Sequence, residues 1–160
     1  MKVVAARVDE RLVHGQIMTS WSKHLALKRI VVIDNQVAKD EFMAEVLKMS
    51  APSGLAIDIL SVADAGRLIT EDTGEENTLL LFKGIGAALE LAQVLKDGPH
   101  KMTELNIGNL GSIPGRNQVT KNVFLSDAEK DQIRELQKMG VNVFLQMLYT
   151  DPRTEASEII

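Results

Sequence analysis

Short apolar runs alternate with helix-forming segments along this 160-residue chain, and this alternation limits the possible folds more than any other feature. The strand-like runs are KVVAARV, RIVVID, LAIDIL, NTLLLF, TELNIG and VNVFLQM. They are apolar enough to be covered on both faces, and strands that alternate with helices typically form a parallel sheet. The chain also has the usual length of one domain. We therefore predict an α/β fold in a single domain over residues 1–160, with a mainly parallel central sheet and helices on both faces.

The spacing of apolar residues predicts which helical side chains face the core. The first helix is predicted to begin near Gly15 and to carry an apolar stripe of Ile17, Trp21 and Leu25. The second helix, KDEFMAEVLKMS, is predicted to bury Phe42, Val46 and either Leu47 or Met49.

The segment SDAEKDQIRELQKMG has the clearest helix signals in the chain. Ser126 is a candidate N-cap, and Glu129 stands three residues later, as a capping box requires. Gly140 is predicted to end the helix.

Composition excludes several classes of protein. The formal net charge is −4 and no basic block is present, which gives little support to binding of nucleic acid or anionic membranes. The chain has no cysteine, so disulfides, thiolate zinc sites and a cysteine nucleophile are excluded. The N-terminus lacks a secretory pattern, and no apolar run approaches the roughly 20 residues that cross a bilayer. We predict a soluble, untargeted protein.

The segment RVDERLVHGQ places a histidine at the predicted exit of the first strand. His14 would stand at the N-terminus of the first helix, where free N–H groups and the helix dipole favour an anion. Gly15 would let the backbone approach a ligand closely, and Arg11 could offer a fork of donors to phosphate oxygens. The set suits a nucleophilic histidine that carries a phosphoryl group. Alternatively, His14 merely caps the helix and Asp9, Glu10 and Arg11 form a solvated turn.

Other kinds of site have weaker support. His14, His24 and His100 lack the spacing of metal ligands, so we predict no metal site. The run LLLFKGIGAALEL has two glycines of a dinucleotide loop, but Leu89 stands where the third glycine belongs. We predict no cofactor, and a regulatory domain that binds a small ligand or nucleotide stays open as the alternative function.

From RVDERLVHGQIMTSW onward, the chain resembles the IIB component of the mannose, fructose and sorbose family of the bacterial phosphoenolpyruvate-dependent sugar phosphotransferase system. The resemblance extends over RIVVIDNQVAKDEFMAEVLKMSAPSG, LLLFKG, LNIGNLG, GRNQVTKNVFLSDAEK and MGVNVFLQMLYTDP, and so covers nearly the whole chain.

The resemblance implies a phosphocarrier. His14 would accept a phosphoryl group on Nδ1 from the phosphohistidine of a IIA partner and pass it to a sugar that enters through the IIC and IID membrane subunits. The phosphate site would comprise Arg11, Gly15 and Asp9, with Asp9 orienting the loop or Arg11. A cytoplasmic protein attached peripherally to the membrane transporter is expected, and neither a metal nor a cofactor is required.

The sugar is left open by the sequence. Gly108-Asn109 within NIGNLG resembles amino-sugar branches of the family, such as N-acetylgalactosamine transporters, whereas the following SIPGR lacks the aromatic residue or histidine expected there. Mannose, fructose, sorbose and an amino sugar all remain candidates.

Overall fold

The computed structural model describes the backbone of residues 1–160 and every side chain except those of Gln16 and Ile17. The predicted place of Ile17 in the apolar stripe therefore lies outside the described side chains. Along this backbone the strands are β1 (Lys2–Asp9), β2 (Arg29–Ile33), β3 (Ala56–Leu60), β4 (Asn77–Phe82), β5 (Glu104–Asn109), β6 (Asn117–Thr120), β7 (Val123–Leu125), β8 (Asn142–Leu145) and β9 (Thr154–Glu155). The α-helices are α1 (Gly15–His24), α2 (Glu41–Met49), α3 (Val62–Glu71), α4 (Ile85–Leu95) and α5 (Asp127–Lys138).

The main sheet has the strand order β3-β2-β4-β1-β5-β8-β9. All neighbours in it pair in parallel except β8 and β9, and β6 and β7 form a separate antiparallel pair. The six parallel strands are the six apolar runs of the sequence. Because β1 lies between β4 and β5, the loop that follows β1 emerges near the middle of the sheet's carboxyl edge.

Helices cover both faces of the sheet. On one face, Ile69 of α3, Leu91 of α4 and Ile133 of α5 belong to one buried apolar cluster. On the other face, Met18 of α1 and Leu47 of α2 pack in a second cluster. The predicted single-domain α/β fold is thus confirmed. No helix of the described chain combines the length and the apolar character needed to span a membrane.

The second helix buries less than its sequence predicts. Leu47 is buried, but Phe42 is 79% exposed, Val46 41% and Met49 83%. The prediction was therefore wrong for Phe42 and Val46, and of the two alternatives Leu47 and Met49 the structure buries Leu47. The physical reason is the position of α2 beside β3, the edge strand of the sheet, which leaves apolar turns of the helix without a covering layer.

The predicted helix ends of α5 are confirmed. The Ser126 side chain accepts a hydrogen bond from the Glu129 N–H, and the Glu129 carboxylate accepts one from the Ser126 N–H, which completes the capping box. Gly140 follows the helix with φ +87°, a conformation that favours glycine.

Candidate functional site

His14 lies where β1 passes into α1, at the carboxyl edge of the sheet. It occupies the N-cap position of α1 in extended backbone geometry, yet its side chain accepts no cap hydrogen bond. The ring is half-buried. Its Nδ1 lies 2.8 Å from the carbonyl oxygen of Leu12, and its Nε2 is shielded from solvent with no hydrogen-bond partner among the described residues. The His14 side chain therefore does not cap α1, and the alternative that His14 merely caps the helix is wrong.

Two apolar residues fix the loop that carries His14. Leu12 and Val13 are each only 4% exposed and pack in the cluster beneath α1 and α2. Leu12 also has φ +58°, a left-handed conformation that is strained for a non-glycine residue and persists only where surrounding contacts enforce it. Burial of these side chains therefore sets the backbone path that leads to His14.

Gly15 begins α1 directly after His14. Its φ is +25°, within the range that favours glycine, and a Cβ there would meet no atom of the described residues within 4 Å. The backbone at the helix N-terminus is thus open to a close approach.

Asp9 and Arg11 form a bidentate ion pair beside this loop. Asp9 is buried and accepts hydrogen bonds from Arg11 Nε at 3.0 Å and Nη2 at 2.9 Å. It also accepts one from the Arg11 backbone N–H at 3.1 Å. Sequence analysis predicted that Arg11 contacts phosphate and that Asp9 orients either the loop or Arg11. The contact between the two side chains is present, and the Nη1–Nη2 edge of Arg11 remains for another acceptor, since no partner of Nη1 occurs among the described residues.

Arg7 is a third member of this charged cluster, and sequence analysis missed it. Its side chain is 2% exposed, and Nη2 lies 3.4 Å from Asp9 Oδ2. Burial lowers the pKa of Arg7, although the Asp9 carboxylate acts in the opposite direction. A usable signal was present: a central parallel strand is buried on both faces, so the two charged residues in the buried half of β1, Arg7 and Asp9, must pair with each other or with another polar group.

A second polar network joins the His14 loop to the loop that follows β5. Glu10 Oε1 accepts a hydrogen bond from the Gly111 N–H at 2.6 Å. Arg116 donates from Nη1 to the Gly111 carbonyl at 3.0 Å and forms a fork with Glu129 at 2.9 and 3.0 Å. Burial opposes ionisation of Glu129, but hydrogen bonds from Arg116 and Ser126 outweigh it and lower the Glu129 pKa. Glu10 is thus part of a defined network and not of a merely solvated turn.

The other two histidines belong to different surroundings. His24 ends α1, about 15 Å along the helix from His14 at 1.5 Å per residue, and its ring stacks on Tyr149 at 4.1 Å. His100 lies exposed in the loop before β5. Among the described residues, no three acidic or histidine side chains form a group that could hold a metal. The absence of a metal requirement stays a prediction.

Comparison with known proteins gives one consistent result. Residues 3–160 match the family model described as the PTS system sorbose subfamily IIB component. The chain is 32% identical over 156 residues to the sorbose-specific EIIB component of Lacticaseibacillus casei, a match that covers 97% of this chain and 93% of that protein. It is 28% identical to the mannose-specific EIIAB component of Escherichia coli, of which the match covers 49%.

The fold agrees with these sequence matches. The crystal structure of the IIBSor domain of the Klebsiella pneumoniae sorbose permease superposes with a TM-score of 0.90 at 30% identity, over 99% of this chain and 95% of that domain. The chain therefore belongs to the sorbose subfamily of IIB components in the mannose, fructose and sorbose family of the sugar phosphotransferase system, and has a phosphotransfer role in sugar uptake.

Proposed function

We propose that this IIB component, acting as one domain over residues 1–160, accepts a phosphoryl group on His14 from a phosphorylated IIA protein. It then transfers the group to a sugar that enters through IIC and IID membrane subunits, and it works on the cytoplasmic side of that transporter. A IIA donor is supported by the mannose-specific relative named EIIAB, whose name joins a IIA and a IIB component. This chain matches 49% of that protein.

The observation that carries the proposal is the position of His14 relative to Arg11. His14 stands at the N-terminus of a ten-residue helix, where backbone N–H groups and the helix dipole favour an anion. Three residues earlier, the buried carboxylate of Asp9 fixes one edge of the Arg11 guanidinium. In the proposal, the other edge of Arg11 and the N–H groups near Gly15 neutralise the phosphoryl oxygens.

Both phosphoryl transfers depend chiefly on one nitrogen lone pair of His14, which acts as the nucleophile in the first transfer. The lone pair attacks the phosphorus of the donor phosphohistidine, so that a new N–P bond forms as the donor N–P bond breaks. In the second transfer, a sugar hydroxyl oxygen attacks the phosphorus and loses its proton, while His14 regains its lone pair. Positioning and neutralisation of charge supply most of the catalysis in such transfers.

The hydrogen bond to Leu12 constrains how His14 reacts. A carbonyl oxygen only accepts, so Nδ1 carries the proton in this arrangement and its lone pair is not available. Attack by Nδ1, which the family resemblance implies, therefore requires the ring to leave the Leu12 carbonyl and to transfer that proton to solvent or to Nε2. The half-buried ring must turn toward the donor before it reacts.

The test is an intact-mass measurement at neutral pH or above, after incubation with phosphoenolpyruvate, the general phosphotransferase proteins and a IIA partner. We expect the mass of one phosphoryl group on the native protein and on the His24→Ala and His100→Ala controls, and none on His14→Ala. A regulatory domain that only binds ligands would gain no mass. Phosphorylation of His14→Ala at the native rate would refute the assignment of His14.

A further inference from the structure

We propose that Arg7 is a positioning residue for phosphoryl transfer, which acts through Asp9 to keep Arg11 oriented toward the phosphate and to keep the charge of the cluster positive. This inference rests on the proposed function, because it assumes that Arg11 contacts the phosphoryl group. Arg7 itself is too deeply buried to contact it, since its side chain is only 2% exposed.

The contacts of Arg7 hold its guanidinium in one place. Nη1 donates to the Gln146 carbonyl at 2.8 Å, and Nη2 donates to the Met147 carbonyl at 3.0 Å. The Trp21 ring covers the guanidinium, with its centroid 5.2 Å from Cζ, and the Trp21 indole N–H also donates to the Met147 carbonyl. Arg7 Nη2 also donates a hydrogen bond to Asp9 Oδ2. A group held on several sides presents a fixed charge to its neighbour.

Glycine at position 108 makes this arrangement possible. A Cβ on Gly108 would overlap the Arg7 guanidinium. Gly108 has no positive φ that would require glycine for conformational reasons, so space for Arg7 is the reason for glycine at this point of β5. The neighbouring Asn106 accepts the Gln146 N–H at 2.9 Å and thereby holds the same segment from the β5 side.

The charge balance gives Arg7 a role in the reaction. Asp9 and Arg11 alone would form a neutral pair, with the carboxylate close to an incoming phosphate dianion. With Arg7 included, the three side chains carry a net charge of +1, because the buried carboxylate is shared between two guanidinium groups. Charges interact most strongly where water is excluded, so a buried Arg7 offsets Asp9 more effectively than a surface cation could.

The experiment is a double-mutant cycle on the rate of transfer from phosphorylated IIA, measured at saturating donor for the native protein, Arg7→Met, Arg11→Ala and the double variant. We expect Arg7→Met to slow transfer roughly tenfold or more in the native background, as loss of a charge-assisted contact does. In the Arg11→Ala background we expect a smaller effect, about threefold at most, because the part of the loss that acts through Arg11 is already gone and only the uncompensated charge of Asp9 remains. An equal loss in both backgrounds would overturn the inference, as would an Arg7→Met rate within about twofold of native.

Two further variants separate positioning from structure. Arg29→Met is the matched control, because Arg29 forms ion pairs with Asp58 and Asp72 at the amino end of β2, away from Asp9, so its loss should lower the melting temperature and leave the transfer rate within about twofold of native. A tenfold slower Arg29→Met would refute the route through Asp9 and assign the effect to lower stability. If Arg7→Met fails to fold, Arg7→Lys takes its place in the cycle with the same criterion of non-additivity. Absence of phosphate on the native protein would instead refute the proposed function, which keeps the two failures apart.

Discussion

The carbonyl oxygen of Leu12 lies 2.8 Å from Nδ1 of His14, two residues further along the chain. The left-handed conformation of Leu12, φ +58°, belongs to the same short loop, and the buried Leu12 side chain fixes that loop. A hydrogen bond to a rigid loop holds the imidazole in one orientation and one tautomer. The tautomer of His14 in the unphosphorylated protein therefore reports whether this hydrogen bond is present.

We predict that unphosphorylated His14 carries its proton on Nδ1 when the ring is neutral. Long-range proton–nitrogen correlation spectra at a pH of about 8, where an ordinary histidine is neutral, measure the tautomer directly. Phosphorylation of Nδ1 should remove the Nδ1–H signal and release the Leu12 carbonyl. His100, which is exposed, serves as an internal reference. A resting protein with His14 mainly in the Nε2–H form would contradict the prediction.

We predict that transfer rates fall in the order native, Arg11→Lys, Arg11→Ala. Lysine keeps the charge but cannot contact Asp9 and a phosphate with two separate edges, as a guanidinium can. Loss of a charge-assisted hydrogen bond costs about 1.5–3 kcal/mol, or roughly ten- to a hundredfold in rate if the contact acts fully in the transition state. Rapid-quench measurements from a phosphorylated IIA donor give these rates.

Thermal unfolding of the same Arg11 variants controls for misfolding. If Arg11 only pairs with the buried Asp9 carboxylate, Arg11→Ala lowers the melting temperature, because a buried charge loses a partner, but does not slow the reaction. An Arg11→Ala rate within about twofold of native would then be observed, and the phosphate contact of Arg11 would be ruled out.

The order of strands and helices could be predicted from the sequence because each parallel strand is apolar on both faces and each turn is marked by local residues. Local patterns do not reveal how far a sheet extends beneath a helix. Phe42 and Met49 show the consequence: their spacing fits a buried helix face, yet α2 lies beside the edge strand β3 and both are exposed.

The candidate site was predictable where its parts are close in sequence, as Asp9, Arg11 and His14 are. Arg7 was missed because its carbonyl acceptors are Gln146 and Met147, separated from it by 139 and 140 positions. Gly108 was considered only as part of Gly108-Asn109, a pair that resembles amino-sugar branches of the family, whereas in the structure it leaves room for Arg7. Contacts that depend on the pairing of β1 with β5 and on the loop after β8 cannot be read from one strand alone.

We predict that Gly108→Ala destabilises the protein, whereas Gly86→Ala stabilises it. The Cβ at position 108 would displace the Arg7 guanidinium, and overpacking of this kind typically costs about 1–3 kcal/mol. Gly86 lies exposed in α4, and its Cβ would make an ordinary contact of 3.5 Å with Gln132. Alanine is favoured over glycine in a helix by about 0.5–1 kcal/mol. Urea denaturation of both variants tests the pair, and equal shifts would contradict the explanation given for Gly108.

We predict that Glu129→Gln destabilises the protein at neutral pH and that this loss becomes smaller in acid. The Glu129 carboxylate accepts the Ser126 N–H and the Arg116 fork, so its removal should lower the free energy of unfolding by about 1–2 kcal/mol, as loss of a helix cap does. Burial disfavours the charged form, but these hydrogen bonds outweigh it and lower the pKa of Glu129 in the folded protein. A lowered folded pKa gives a stabilisation that is fully present above the unfolded value, about 4.3, and is lost as pH falls through the folded value.

Denaturant unfolding at pH 7, 5 and 3 measures this dependence for native protein and Glu129→Gln. The matched control is Glu135→Gln on the same helix, where the glutamate is exposed and has no ion-pair partner among the described residues. We expect the deficit of Glu129→Gln to be full at pH 7 and 5 and smaller at pH 3, because protonation of Glu129 in the native protein then removes the same charge. The control should change the free energy of unfolding by less than about 0.5 kcal/mol, as surface substitutions do. A Glu129→Gln deficit that is equally large at pH 3 would mean that the shape of the side chain, and not its charge, holds Arg116 against the start of α5.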